Sequence, residues 1–578
     1  MAKNVSLTLK EFGGLHIPEA GEMPLGKNES PNMKNFCITP SGQLKLREGY
    51  RVLHEKNGAV RLLWQGTLKK QSFHLALIGT ELYRSADCFQ TLENIGTLEG
   101  EDEVFALEFR EKLYLFNGTN IHVCDGEKIE ILKPYRPLIR ISSPPAGGGI
   151  PFEDVNFLTA EVRQTFSADG DSLDFYLAEK RVESVDYVLR DGVKLKPEED
   201  YTTDPFWGYV TIFGDKDENA VKKGVNNIEI GYTLWNYYPE TVERCRYGVV
   251  FDSHVFLYGN SFNPAMRYYT GLVDGMPSME YFPASHYSMV GGGEQITSIV
   301  RHYDRQIIFT AHEAFYSYPE TRVDETGKEY TSFPIYTLSA MHGNCVKGLS
   351  LLLANKPLSV MPSGLYLWNN TSVRDERNAS CFSARISKAL KSENLGDARL
   401  FLRHTTGELF LVLSRGIYVY NYKTDLFYYY EGYLPTCMLE DDEKNFFFGT
   451  EDGKLCLIGG DMDAGVDIEA HWESPALTFG DETHTKNLSD LTLLFYSRDG
   501  AALDVSWHTD MAMSQTRRLY ILPTPLVTHG LLCTMRYKLR LYAKRFRHFS
   551  LTISHPKGSG DLCLSALILR GRINDQHS

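Results

Sequence analysis

The chain has 578 residues and a formal net charge of −14, with 43% hydrophobic and 23% charged residues; 34 Tyr and 31 Phe raise the aromatic share to 12%. A net acidic chain argues against tight nucleic-acid binding, which needs cations to neutralise phosphates, and no apolar run of about 18 residues is present to span a membrane. The length accommodates several cores of about 150 residues each, and the ring content favours pleated surfaces and large subunit interfaces.

The first fifty residues carry Gly13-Gly14-Leu15, then Asn28-Glu29-Ser30-Pro31-Asn32-Met33-Lys34-Asn35-Phe36, then Gly42-Gln43-Leu44-Lys45-Leu46-Arg47-Glu48-Gly49-Tyr50. Pro, Gly and Asn recur too often for a helix. The pattern predicts an extended lead-in with tight turns, lying on a larger body or on a neighbouring subunit. Residues 1–7 have no apolar core of the kind a signal peptide needs.

Beyond residue 50, short strands alternate with turn signals at 62–64, 73–78, 79–85, 104–109, 112–116 and 121–124, with Asn117-Gly118 as a hairpin turn. Three or four short strands in roughly 40 residues is the cadence of propeller blades. At 142–149 two prolines and three glycines predict a linker. Segments at 165–167, 174–177, 182–189, 208–213 and 228–232 then predict a small antiparallel β-sandwich. Propeller rhythm resumes at 246–251, 254–258, 305–310 and 314–318, and the clearest blade is expected over 400–458. From Asp461 the alternation at 503–508 and 549–553 predicts a second sandwich of about 110 residues. Helix is scarce, with 384–389 the best candidate. The expected fold is all-β: a β-propeller with an inserted small β-sandwich domain and a C-terminal β-sandwich domain. The expected division is lead-in 1–50, propeller 51–141 and 242–460, insert 150–235, and C-terminal unit 461–578.

The ten cysteines lie far apart, none at zinc or redox spacing, and read as small buried thiols of a reducing cytoplasm. Residues 85–92 resemble in part the "S-x-D-x-G-x-T-W" turn of sialidase-type propellers but lack its glycine and tryptophan. Glycosidase chemistry needs two carboxylates flanking one bond, and sequence nominates no pair; 440–443 reads as a solvated acidic loop. Asp169, Asp171 and Asp174, and likewise Asp461, Asp463 and Asp467, bring oxygens near one another but lack EF-hand spacing, so Asx turns explain them. His302, His312 and His471 stand alone. No G-x-S-x-G, H-E-x-x-H or phosphate loop occurs, so no catalytic, cofactor or metal residue is assigned and a non-enzyme is expected. The basic alternation Arg536, Lys538, Arg540, continuing to Arg545 and Arg547, places the first three on one strand face. A solvated edge strand explains it; a contact to an acidic neighbour is the sharper alternative.

The lead-in, together with Tyr281-Phe282-Pro283, the glycines 291–293 before Ile296-Thr297-Ser298-Ile299, and Phe315-Tyr316-Ser317-Tyr318, resembles a family of bacteriophage tail and head–tail connecting proteins. These are akin to the nozzle or stabilisation proteins of short-tailed phages. In that family "G-x-S-P-x-M-x-N … G-x-L-x-x-R-x-G-Y" precedes a β-propeller; Asn32 stands where it often has Asp. The resemblance implies a non-enzymatic virion protein, assembled in the host cytoplasm, that forms a ring, often of six copies, below the portal and adaptor proteins. Such a ring extends the DNA channel without sequence-specific binding, helps retain packaged DNA and carries fibres or spikes; no cofactor is implied. As candidate subunit contacts we take Pro31, Met33, Asn35, Arg47 and Tyr50 of the lead-in, and Arg536, Lys538, Arg540, Arg545 and Arg547. The alternative is a soluble glycan-binding or glycan-hydrolysing β-propeller, and a third class is a host-encoded propeller scaffold.

Overall fold

The computed structural model describes residues 3–17, 19, 25–100, 103–214, 221–237, 240–323, 327, 329–371, 374–498, 500–511, 514–524, 534–556 and 562–574. Their fold is nearly all-β, in predominantly antiparallel sheets. The short helix expected at 384–389 is a 3-10 turn, Ala384–Ile386, running into Ser387–Leu390.

Seven sheets, each a four-stranded meander at its core, follow one another around a ring. Sheet I holds Val60–Leu68, Gln71–Ile78, Glu81–Ser85 and Glu93–Thr97; sheet II holds Phe105–Phe109, Lys112–Phe116, Ile121–Cys124 and Ile129–Ile131. Sheet III contains Tyr247–Phe251, His254–Tyr258, Met266–Tyr269 and Tyr287–Met289, and sheet IV Ser298–His302, Arg305–Phe309, Ala314–Ser317 and Ile335–Ser339. Sheet V contains Leu352–Leu353, Lys356–Met361, Gly364–Trp368 and Ala379–Cys381; sheet VI contains Arg399–Arg403, Glu408–Val412, Ile417–Asn421 and Leu426–Tyr430. Sheet VII joins Cys437–Glu440, Phe446–Gly449 and Lys454–Ile458 to a strand from the other end of the ring, Tyr50–Glu55. The first strands of sheets I to IV touch in succession. Ser298–His302 then meets Lys356–Met361, and Cys437–Glu440 contacts both Arg399–Arg403 and Val60–Leu68, which brings the ring back to its start.

The burial pattern has a simple cause. The second strand of a sheet is covered on both faces by the neighbouring sheets, so it is apolar without alternation: Leu113 to Phe116 and Leu409 to Val412 are all buried. The stretch 400–458, expected as one blade, therefore divides into two sheets, because seven strands exceed what one four-stranded unit takes.

Between sheets II and III the chain builds a separate core. Leu138–Ser143 runs parallel to Glu161–Phe166, which pairs with Ile228–Leu234 and, through it, Val182–Arg190. A second sheet, Asp174–Tyr176, Tyr201–Asp204 and Tyr209–Ile212, shares with it a core that includes Phe166, Phe175, Val188 and Ile230. The expected linker begins within this unit: Ser142 and Ser143 end its first strand, and only 144–149 turn. The unit is fixed to the ring by Asn156, which is fully buried. Its amide Nδ2 donates to the carbonyls of Tyr135 and Glu280 at 2.8 Å each, and its Oδ1 accepts from the N–H of Leu158 at 3.1 Å and of Phe282 at 3.0 Å. Tyr281-Phe282-Pro283 thus forms the seat of this unit: Tyr281 donates its hydroxyl to the Asp154 carbonyl at 2.9 Å, and the Phe282 carbonyl accepts from Phe157 N–H at 2.9 Å.

The C-terminal residues form two facing sheets. One contains Lys486–Tyr496, Met535–Phe546 and Cys563–Ile573; the other contains Ala470–Glu473, Ala501–Thr509, Ser514–Ile521 and Phe549–His555. The alternating burial of Ala501, Leu503, Val505 and Trp507 shows the period of two that the sequence predicts. Both sheets are completed from the N-terminus. Lys3–Leu9 pairs along Cys563–Ile573, Phe36–Ile38 and Leu44–Leu46 extend the same sheet, and Met33–Lys34 pairs with Ala470–Glu473. The lead-in is therefore interleaved with the C-terminal strands and is not a free extended arm.

Asn156→Ala removes four hydrogen bonds at a buried site and is expected to destabilise the protein by roughly 2–4 kcal/mol. The loss is to be read as a lower urea midpoint; a change below about 0.5 kcal/mol would show that the inserted unit is held by other contacts.

Candidate functional site

Three features hold the chain together or lie open at its surface: the lead-in junction, an exposed basic face on the terminal sheets, and the cavity on the ring axis.

The junction is built on Arg47. Its guanidinium donates Nη1 and Nη2 to the two carboxylate oxygens of Asp463 at 2.8 and 2.6 Å. Nε donates to Asn35 Oδ1 at 2.9 Å, and the carbonyls of Glu48 and Glu431 accept at 2.9 and 2.6 Å. The group also lies 5.0 Å from the Tyr433 ring centroid, a cation–π geometry. Burial disfavours its charge, but Asp463 together with the rings of Tyr433 and Tyr430 more than offsets this, and the pKa of Arg47 is raised. Asn35, at φ 57, turns the chain so that its Oδ1 also accepts from Glu431 N–H while its Nδ2 donates to the Glu469 carbonyl, each at 2.8 Å.

The motif glycines serve close approach. A Cβ on Gly14 would stand 2.5 Å from the Phe427 carbonyl oxygen, where Leu15 N–H donates to that same carbonyl at 2.7 Å. A Cβ on Gly49 would collide with the backbone of Met462.

Among the lead-in residues proposed as subunit contacts, Met33, Asn35 and Arg47 are 1%, 4% and 3% exposed. Their expected role is corrected here: they bind the chain to itself, because their polar and apolar surface is consumed within the protomer. Pro31 is half-buried. Tyr50 is also half-buried and packs 5.1 Å from Phe448 and 5.7 Å from Tyr433, centroid to centroid.

The second set of candidates lies on a surface. Among the described residues Met535–Phe546 pairs only with Lys486–Tyr496 and so stands at the edge of its sheet. Arg536, Lys538 and Arg540 are exposed, as are Arg545 and Arg547 at its end. Arg545 takes φ 55 and donates its N–H to Asn487 Oδ1 at 2.8 Å, while Arg547 N–H is held by Asp510. Sequence reading missed the other half of this face. Cross-strand register sets Arg570 beside Asp490, Asp490 beside Arg540, and Ser6 beside Arg570. Arg572 falls in the next row, between Asn487 and Asn4. A shallow groove of about 820 Å³ runs over these strands, lined by Lys538, Arg540, Lys544, Arg570 and Arg572 against the single carboxylate of Asp490. The nearest ion pair, Lys538 to Asp490, spans 3.6 Å.

The axial cavity, about 560 Å³, is bounded by the first strands of sheets I, II, III, VI and VII and by residues 346–351. Its charged lining among the described residues is Arg61, Arg246, Lys347, Arg399 and one carboxylate, Glu103. The groups weighed for metal or catalysis resolve locally. Asp169 accepts from Asp171 and Ser172 N–H as an Asx turn, and Asp463 belongs to Arg47. His302 bonds Thr371 and the Asn355 carbonyl, His312 bonds Glu294, and His471 bonds Ser554. No disulfide joins the described cysteines. Burial pushes the thiols of Cys37, Cys437 and Cys456 up to about 12; Cys533 lies outside the described residues.

No protein-family model matches this sequence, and no curated protein sequence matches it. Among solved structures, one described as YCF48 bound to D1 peptide is 8% identical, covering 72% of this chain and 96% of its own, with a TM-score of 0.33. A gluconolactonase, XC5397 from Xanthomonas campestris, is 9% identical over 77% of this chain and 98% of its own, with a TM-score of 0.26. Likeness at this level carries no argument about function.

Arg47→Met leaves Asp463 and Asn35 without their buried partner and is expected to cost about 3–5 kcal/mol. Arg47→Lys recovers only part of this, because an ammonium cannot make the bidentate fork. Chemical denaturation of the two variants checks the order; equal stability of Arg47→Lys and the parent chain would refute it.

Proposed function

We propose that this protein is a non-enzymatic structural subunit of a bacteriophage tail. Several copies form a ring that prolongs the DNA channel below the portal and adaptor proteins, helps retain packaged DNA and supports fibres or spikes. In this reading the seven-sheet ring is a β-propeller that supplies rigidity. The unit between sheets II and III and the C-terminal pair of sheets are β-sandwiches that offer contact surfaces.

The observation that carries the reading is the basic face. Five cations and one carboxylate line an exposed sheet groove on a chain whose net charge is −14. Such a molecule is strongly dipolar, and its basic face complements the acidic remainder of a second copy. The resemblance of the lead-in and the 281–318 block to phage tail proteins points the same way. The axial cavity adds a further argument: hydrolysis of a glycoside uses two facing carboxylates, and Glu103 stands among four cations. The alternative, a soluble glycan-binding or glycan-hydrolysing β-propeller, draws support from the exposed ring pair Phe206 and Trp207 on the inserted unit, 5.2 Å apart.

The test is the mass in solution, by native mass spectrometry or light scattering, alone and with a portal–adaptor complex. A closed ring, or one that forms only on that complex, is expected. The Lys538→Gln/Arg540→Gln double variant is expected to weaken it while costing at most about 1 kcal/mol of folding stability, and raised salt should weaken the ring in the parent chain. A monomer indifferent to the portal–adaptor complex, combined with binding to polysaccharide, would overturn the reading in favour of the alternative.

A further inference from the structure

Where sheet VII meets sheet I, three potential metal ligands from distant parts of the sequence converge. His74 lies on Gln71–Ile78, Cys88 in the turn after Glu81–Ser85, and Asp441 just beyond Cys437–Glu440. The imidazole nitrogen, the thiol sulfur and a carboxylate oxygen lie within 4.8 Å of one another. His74 Nε2 stands 3.3 Å from Asp441 Oδ2, and Cys88 Sγ stands 3.3 Å from Glu443 Oε2 on the solvent side. His74 is 8% and Asp441 2% exposed, so two of the donors are held inside the protein and the third closes over them from a turn.

The turn is built to present Cys88. Asp87 accepts from Thr91 N–H at 2.9 Å, Thr91 Oγ1 at 2.8 Å and Ser85 Oγ at 2.7 Å. Those bonds hold its carboxyl down at about 2. Cys88 and Phe89 then take φ 53 and φ 58, the left-handed region in which a side chain is strained. Phe89 occupies the position at which the related sialidase-type turn has glycine. Its ring packs edge-on against His74 at 5.1 Å and Phe447 at 5.0 Å, which fixes the imidazole. Asp441 is oriented from behind by Asn445, whose N–H and Nδ2 donate to it at 2.7 and 2.9 Å. Outer contacts of this sort set the ligand geometry of metal sites.

We propose that His74, Cys88 and Asp441 form a binding site for a divalent transition metal of the zinc class. The donor set mixes nitrogen, sulfur and carboxylate oxygen, which suits a borderline-soft cation in tetrahedral coordination. Bonds of about 2.0–2.3 Å bring tetrahedral ligand atoms to roughly 3.3–3.8 Å from one another. The His74–Asp441 spacing already meets this, and the Cys88 sulfur closes the remainder by a movement of about 1 Å. Glu443 or a water takes the fourth position. Binding replaces the thiol proton: Cys88 gives up H⁺ to solvent and the thiolate bonds the cation. A metal here ties the first sheet of the ring to the last.

The experiment uses the reduced full-length chain. Cobalt(II) is expected to produce thiolate-to-cobalt charge-transfer absorption, and dialysis against zinc followed by elemental analysis is expected to retain one zinc per chain. Cys88→Ser should abolish the charge-transfer band and weaken zinc binding more than about tenfold. Cys381→Ser, at an exposed cysteine outside the cluster, should alter neither. In the parent chain zinc should also protect Cys88 from alkylation, a readout that does not depend on the variant folding. Absence of stoichiometric cobalt or zinc, a band that survives Cys88→Ser in a folded protein, or alkylation of Cys88 at the same rate with and without zinc would each overturn the proposal.

Discussion

The buried Arg47–Asp463 pair ties the beginning of the ring to its end. A guanidinium almost removed from water persists where acceptors answer nearly all of its donors, and here the Asp463 carboxylate supplies two of them. Asp463 comes from 416 residues further along the chain, so the pair forms only when the end of the ring has returned to its beginning. Its formation sets the register of neighbouring segments. Gly49 N–H donates to the Gly460 carbonyl at 2.9 Å, Ala464 N–H donates to the Tyr50 carbonyl at 2.8 Å, and Tyr50–Glu55 runs on as the fourth strand of sheet VII. Arginine is required there because its planar fork meets the carboxylate twice while its face lies on Tyr433.

Ring closure and completion of the terminal sheets are consequently one event. One continuous core runs from the lead-in through sheets V and VI to the terminal sheets, with Phe12 against Trp472 at 5.3 Å and Met33 paired to Trp472. Closing loops of this span costs chain entropy that only the finished contacts repay. The terminal unit is therefore not an autonomous appendage: without residues 3–46 it lacks strands from both of its sheets. The inserted unit is different. Its core is its own, and it is fixed to the ring through Asn156 and the Tyr281-Phe282-Pro283 seat.

This organisation explains why the residues most distinctive in sequence are interior. Gly14, Gly49, Asn35 and Arg47 sit where backbones touch or where a charge is enclosed, and such places tolerate few side chains. The residues available to partners are chemically ordinary lysines and arginines whose significance depends on what stands beside them. Arg536, Lys538 and Arg540 were legible as one strand face because alternation is local. Arg570 and Arg572 were not, since only cross-strand pairing brings them onto the same face. His74, Cys88 and Asp441 form no sequence motif for the same reason.

By itself the sequence determined the class of structure: strand and turn signals follow from residue-by-residue burial and from the backbone freedom of Gly, Asn and Pro, which are short-range effects. It also marked the lead-in, the rhythm of short strands, the inserted unit and the basic edge strand. Only the tertiary structure decided how many sheets share the stretch 400–458, where the inserted unit begins, and that the lead-in lies inside the protomer. Each of those outcomes depends on pairing between strands far apart in the chain. Hydrogen-bond register and enclosed charge pairs select that pairing, and neither leaves a periodic trace in the sequence.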